Sequence, residues 1–260
     1  MRIGIIGTGN IGASLVRKLS AAGHDVKVAN SRGPETIPAD MLAHGACAVT
    51  AQQAVQDVDV VILSVPLSAI PILAPTLSVL PEDVTVVDTT NYYPQRDGAG
   101  FLPDGTIESQ WVSQQLGRPV AKAWNAIGSA SLATKGTSAG TPGRIALPVA
   151  ADRALDKQRV MVLVEDTGLD AVDAGALADS WRQQPGNPAY CTDLTSDELL
   201  AALDRADAEH APVRRDLVVS VFADWLGAGM NPDAEWSLAV ARVICSGPAS
   251  SANGNSRKEN

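Results

Sequence analysis

The chain is short of cysteine, of basic charge and of long apolar runs, and each shortage excludes a class of protein. Cys47, Cys191 and Cys245 are its three cysteines, an odd number with no CxxC pair, which excludes a disulfide framework and indicates reduced thiols. Lys and Arg number 20 against 29 Asp and Glu, a net charge of −9. Nucleic acid and anionic membrane both select basic surface, so neither is expected as a partner. The longest apolar stretch, Val58 to Leu80, carries Asp59 and is interrupted by Pro66, Pro71 and Pro75, which makes it a poor membrane span. Met1-Arg2-Ile3-Gly4 enters a strand pattern at once and leaves no room for the charged region and apolar core of a signal peptide. A cytoplasmic location is the resulting expectation.

Chemical signatures are missing as well. No HExxH or Cys/His cluster occurs, so metal-assisted hydrolysis has no support and no metal is expected, and serine acyl transfer is not expected either. The three histidines, His24, His44 and His210, fall in turns or at helix ends, where a surface position accounts for them. No internal repeat or heptad run is present.

What is present begins with length and alternation. The 260 residues accommodate one dinucleotide-binding domain of roughly 130 to 170 residues and a small companion. Strand patterns at 1–6, 25–30, 47–50, 58–65, 84–88 and 119–123 alternate with helical patterns at 10–22, around Met41 and Leu42, 52–57, 67–79 and 107–116. Val58 to Val65 is a near-continuous β-branched run, the mark of a strand buried on both faces of a parallel sheet. The alternation predicts an α/β Rossmann fold, a doubly wound and mostly parallel sheet, over 1–128. A smaller C-terminal domain is expected over 129–245. Its strands at 145–149 and 171–173 and helix at 153–164 either extend the sheet to about 181 or form a lobe, followed by helices at 196–209, 213–226 and 233–244. Residues 246–260 lack apolar periodicity and are expected to be a disordered tail.

Gly7-Thr8-Gly9-Asn10-Ile11-Gly12 is a GxGxxG motif placed directly after a strand and opening a helix. Gly7 permits the tight turn, Gly9 lets a pyrophosphate approach the backbone and Gly12 allows close helix packing, while the helix N-terminus offers N–H groups to the anion. At the end of the second strand, where a carboxylate would hold the ribose hydroxyl of NAD, the chain has Asn30-Ser31-Arg32. A Ser hydroxyl and an Arg guanidinium suit a 2′-phosphate, so NADP(H) is the expected cofactor; Glu35 turned inward toward NAD is the alternative. Ligands in such sheets bind outside the carboxyl ends of the strands. Ser64-Val65-Pro66, Asn91 with Tyr92 and Tyr93, and Trp124-Asn125-Ala126-Ile127 should therefore line the same crevice.

These residues, with Lys122-Ala123-Trp124-Asn125-Ala126-Ile127, Leu147-Pro148-Val149 and Asp173-Ala174-Gly175, resemble the coenzyme F420-dependent NADP oxidoreductases from the first residue to about Trp181. The resemblance implies that Thr8 to Ile11 hold the pyrophosphate, Ser31 and Arg32 the 2′-phosphate, and Trp124 to Ser129 the nicotinamide end. Two departures stand out. Members that use the deazaflavin can carry His where this chain has Asn125, and their ending after Asp-Ala-Gly is here replaced by Trp181 to Tyr190 and a longer helical extension.

The expected activity is NADP(H)-dependent hydride transfer to a ring-type acceptor: F420, a flavin or a quinone-like ring. Reduction of a small carbonyl or imine and a non-catalytic NADP(H)-binding redox sensor are the alternatives. Ring-to-ring transfer asks the protein for little beyond position and exclusion of water. A carbonyl or imine asks for a proton donor, for which Tyr92, Tyr93, Asn125 and Lys122 are candidates, with Tyr190 a further hydroxyl and Arg182 an anchor for an anionic group. The apolar late helices point to a homodimer.

Overall fold

The computed structural model describes residues 1–246. β1 (Arg2–Ile6) leads through the glycine turn into α1 (Asn10–Ala21) and β2 (Asp25–Ala29). Two 3-10 turns, Pro34–Thr36 and Ala39–Leu42, precede β3 (Cys47–Ala48), α2 (Ala51–Ala54) and β4 (Val60–Leu63). Next come α3 (Ile70–Leu77), β5 (Thr85–Asp88), the one-turn α4 (Pro94–Asp97), α5 (Glu108–Leu116), β6 (Ala121–Lys122) and the short α6 (Ser129–Thr134). β7 (Ala146–Ala151), α7 (Ala154–Asp166), β8 (Asp170–Asp173) and a 3-10 segment, Leu177–Gln183, lead to α8 (Ser196–Asp204), α9 (Ala211–Gly227) and α10 (Ala234–Cys245).

The eight strands make one sheet in the order β3-β2-β1-β4-β5-β6-β7-β8, parallel except between β6 and β7. The connection through α6 stays at the carboxyl end of β6. Consequently β7 starts there and runs back antiparallel, and β8 adds parallel to it. Residues 146–173 therefore continue the sheet.

The period-two geometry of a strand sorts each apolar run onto two faces. Ile3, Ile5, Val60 and Ile62 pack with Leu15 and Leu19 of α1 and Leu163 of α7. Ile6, Val61, Leu63 and Val86 pack on the other face with Ile70, Leu77, Val112 and Leu116. Each such side chain, withdrawn fully from water, contributes about 1.5 to 3 kcal/mol, and both faces are covered. Gly4 is required where α2 lies against β1, because a Cβ there would fall on the Ala54 carbonyl oxygen.

Local chemistry explains where the elements differ from expectation. The helix expected around Met41 and Leu42 is a 3-10 turn entered from Pro38, and the helical turn expected at 52–57 is α2, capped by a reciprocal Thr50 and Gln53 pair. α4, α6 and the 3-10 segment Leu177–Gln183 had no periodic signal, being too short to show one. Of the expected tail, 246–260, all but Ser246 lies outside the described residues.

The late helices pack unevenly. α8 buries Leu199, Ala202 and Leu203 against Ala146 and Val172 at the sheet edge. α9 and α10 form a hairpin closed by Trp236, whose ring lies 5.0 Å from Phe222 and 4.5 Å from Trp225, centroid to centroid. α10 is fastened to the body by Arg242, whose Nε and Nη2 donate to the carbonyls of Thr192 and Asp193 at 2.9 and 3.1 Å. Of the 17 residues of α9 only Ala211 is buried.

Candidate functional site

The glycine turn has the geometry of an anion cradle. Gly7 sits at φ +116°, and a Cβ there would fall on the Ser64 carbonyl oxygen; one on Gly12 would fall on the Gly7 carbonyl oxygen. These two glycines close α1 tightly against β1 and β4. In front of Gly9 nothing lies within 4 Å of the place a Cβ would occupy, so a ligand has direct access to backbone. Gly9 is the N-cap of α1 and supplies no side chain, leaving the first-turn N–H groups to whatever anion approaches. An uncapped 12-residue helix behind an open glycine fits a pyrophosphate.

At the end of β2, Asn30 shapes the next contact. Its Oδ1 accepts from the Arg32 backbone N–H at 2.9 Å and its Nδ2 donates to Thr36 Oγ1 at 2.9 Å. The turn so fixed leaves Ser31 and Arg32 exposed, with Arg32 in no ion pair among the described residues. Glu35 folds back over Gly33. An exposed cation and hydroxyl on an acidic chain suit one extra phosphate.

Outside the carboxyl ends of β4, β5 and β6 lies a cleft of about 390 Å³. Gly9, Asn10, Ile11, Ser64, Val65, Pro66, Asn91, Tyr93, Asn125 and Ile127 all line it, and Ser129, Tyr190 and Cys191 join them. Gly7, Thr8 and Gly12 stand behind the cradle, Ala126 is buried beneath the cleft, and Asn30 to Arg32 lie at the outer end of β2. Two of the expected proton donors do not face the cleft. Tyr92 is buried with its hydroxyl donating to the Gly98 carbonyl at 2.8 Å. Lys122 is fully buried and donates to Asp88 Oδ2 at 3.1 Å and to the Thr90 carbonyl, while Ser109 Oγ donates to the same carboxylate oxygen at 2.7 Å. That cluster ties β5, β6 and α5 together. A buried cation without its partner costs about 3 to 5 kcal/mol, so Lys122 stays committed to Asp88. Arg182 pairs with Asp179 at 2.7 Å and lines neither the cleft nor the chamber behind it.

The floor of the cleft is a lattice of amides. Trp124, buried and in the left-handed region at φ +54°, turns the chain out of β6 so that Asn125 enters the cleft. Asn125 Nδ2 donates to Asn91 Oδ1 at 3.1 Å and to the Gln183 carbonyl at 2.8 Å, and Gln183 Nε2 donates to Asn125 Oδ1 at 2.8 Å. Asn91 Nδ2 donates to the Asn125 carbonyl at 3.0 Å and to the Tyr190 hydroxyl at 3.2 Å. Tyr190 in turn shares a 2.6 Å hydrogen bond with the Tyr93 hydroxyl. Desolvation pushes both phenols upward from their ordinary value, so both stay protonated at neutral pH, and it pushes the Cys191 thiol up to about 12. Behind Tyr93, burial would raise the Asp97 carboxyl, but Arg96 at 2.8 Å and the Tyr93 backbone N–H hold it below the usual carboxylate range.

Tyr93, Gly128, Ser129, Tyr190 and Cys191 form a shared wall: on its far side is a second space of about 390 Å³, roofed by Val218 and Phe222 of α9 and Leu238 and Ala241 of α10. The cleft and this apolar chamber meet at the tyrosine pair. Gln183 leaves no local sequence pattern, and the patterns that predict α9 and α10 do not show that these helices roof a chamber, because both reach the site only through tertiary packing. The Gln183-Gln184-Pro185-Gly186-Asn187-Pro188 break was the available signal.

A family model described as NADP oxidoreductase, coenzyme F420-dependent, matches residues 2–92, from β1 to just past β5. The protein YjhV of Escherichia coli (strain K12) is 38% identical over 96 residues, 37% of this chain and 68% of that one. A hypothetical protein from Sinorhizobium meliloti, SMa0349, superposes with a TM-score of 0.63 at 31% identity, covering 75% of this chain and 95% of the other. The chain belongs to the coenzyme F420-dependent NADP oxidoreductase family. The cradle and the ends of β4 and β5 fall in the matched segment, and the end of β6 and the walls contributed by residues 125–245 lie after it. An Arthrobacter sp. FB24 protein described as an F420-dependent NADP-reductase shares the fold, with a TM-score of 0.55 at 20% identity over 69% of this chain and 87% of that one.

Proposed function

We propose that this family member transfers hydride between NADP(H), held along the cradle and the cleft, and a ring-type acceptor such as F420 or a flavin, held in the apolar chamber. The observation that carries this reading is the shared wall at Tyr93, Gly128, Ser129, Tyr190 and Cys191, where the two spaces meet. In this reading the α1 N-terminus and the Gly9 backbone bind the pyrophosphate, and Ser31 and Arg32 bind the 2′-phosphate. The nicotinamide supplies the hydride. The protein's own contribution is placement: the Asn91, Asn125 and Gln183 lattice fixes the cleft floor, and α9 and α10 give the chamber an apolar roof.

A second reading, reduction of a small carbonyl or imine, is favoured by one observation. The Tyr93 and Tyr190 hydroxyls lie 2.6 Å apart at the junction and are protonated, so they can pass a proton to a developing alkoxide or amine. The test is NADPH oxidation by the wild type and by Tyr190→Phe over a panel of F420, FMN, FAD, quinones, carbonyls and imines. Ring acceptors should be turned over by both forms at similar rates. A carbonyl or imine turned over by the wild type and slowed by about 10²-fold or more in Tyr190→Phe would select the second reading. Tight NADPH binding without turnover across the panel would select a redox sensor. We also propose that the outer side of α9, where Val213, Leu217 and Leu226 are 67, 50 and 56% exposed, is covered by a second copy of the chain.

A further inference from the structure

A third cavity, of about 530 Å³, opens between the start of α5, the loop after α4 and the first turns of α9. It is separate from the nucleotide cleft and meets the apolar chamber only at Pro185 and Arg215. Glu108, the first residue of α5, lines it and is 3% exposed. Its carboxyl receives the Tyr92 backbone N–H on one side, yet Oε2 has no hydrogen-bond partner. A buried carboxyl oxygen left in this state is costly, of order 1 to 3 kcal/mol, and a protein keeps such a group where something else satisfies it.

The charges around the cavity indicate what that is. Lys122, which faces Glu108 from β6, is committed to Asp88. Arg215, which faces it from α9, lies over the Tyr92 ring and gives its Nε to Asp216 at 2.8 Å. Asp104 and Asp216 line the same cavity, so with Glu108 ionised the wall holds three carboxylates against the single guanidinium of Arg215. This balance disfavours an anion and favours a cation. Trp181, which lines the same cavity, offers an apolar surface for a carbon chain or a cation.

We propose that this cavity is a binding site for a small organic ammonium ion, with the Glu108 carboxylate as its counter-ion. The ammonium donates to Oε2, and its carbon skeleton lies along Trp181 and Leu102. Burial pushes the Glu108 carboxyl up to about 7, against the pull of Lys122 and Arg215 and with a smaller push from Asp88, so binding near neutrality releases the carboxyl proton. The proposal is independent of the hydride acceptor.

Titration calorimetry of the full chain with n-butylammonium, n-butanol and n-butanoate tests it. Ammonium binding should tighten about tenfold between about pH 6 and about pH 8, as a group titrating near 7 ionises, and should release close to one proton at the lower pH. The alcohol and the carboxylate should bind at least tenfold more weakly at the higher pH. Glu108→Gln is nearly isosteric and should lose both the ammonium affinity and the proton release while keeping its affinity for NADPH, which reports that the chain is folded. Equal binding of amine and alcohol, preference for butanoate, or a Glu108→Gln protein that binds amine as well as the wild type would each overturn the proposal.

Discussion

The half that carries the glycine cradle and the half that carries the proposed acceptor chamber are built on different principles. β1, β4 and β5, at the centre of the sheet, are covered on both faces, and the glycines that shape the site are held by backbone contacts within that sandwich. From α8 to α10 the chain is a set of helices of which α8 rests on the sheet edge, and α9 buries one residue in 17. The first half is preorganised and recognisable by motif. The second shapes the apolar chamber through packing that few residues enforce, so it can diverge without disturbing the cradle.

The largest expected effect sets the halves directly against each other. Gly7→Ala places a Cβ on the Ser64 carbonyl at a positive φ, and Gly186→Ala, at φ +88°, places one on the Ala211 carbonyl where α9 begins. Gly7→Ala should lose about 3 kcal/mol or more in urea denaturation and NADPH binding with it. Gly186→Ala should displace α9 and lower acceptor turnover while leaving NADPH affinity within about twofold. Loss of NADPH binding in Gly186→Ala would show that the halves are not separable.

Glu108 stands on the seam between them. Its carboxyl is raised from 4.5 to about 7, so the stability it contributes is fully present below 4.5 and is lost as pH rises through about 7. The wild type should weaken over this window by at most about 3 kcal/mol relative to Glu108→Gln, measured by denaturant titration at several pH values. Parallel pH profiles for the two proteins would mean that the carboxyl is not held in its neutral form.

Arg32→Ala tests the first half alone. Removing a charged contact to the 2′-phosphate should cost NADPH about 1.5 to 3 kcal/mol and barely change NADH. Equal losses for both cofactors would place the anchor elsewhere. Leu217→Asp tests the second half alone: if α9 is covered by another copy, sedimentation should show dissociation, with the stability of the single chain changed by less than about 0.5 kcal/mol.

Much of the first half was legible from residues alone. Two-sided apolar runs, the glycine spacing and Asn30-Ser31-Arg32 are local signals, and a parallel sheet converts them into one crevice by geometry common to the fold. Tyr93 and Asn125 were legible as candidates for the same reason, since each follows a strand. Tyr92 and Lys122 looked equally eligible. Adjacent residues at a strand end point in opposite directions, and only the packed structure turns Tyr92 to Gly98 and draws Lys122 to Asp88.

The sequence by itself determined a doubly wound sheet, an open glycine turn at Gly7 to Gly12 before α1 and a cation at the end of β2, because each depends on residues within about thirty positions of one another along a βαβ unit. Tertiary structure alone decided that β7 runs antiparallel, that Tyr190 meets Tyr93 across 97 residues, and that α9 and α10 roof a chamber behind that pair. These arrangements pair groups far apart in the chain. Their partners are chosen by burial and hydrogen bonding after the sheet has formed, and no local pattern records that choice.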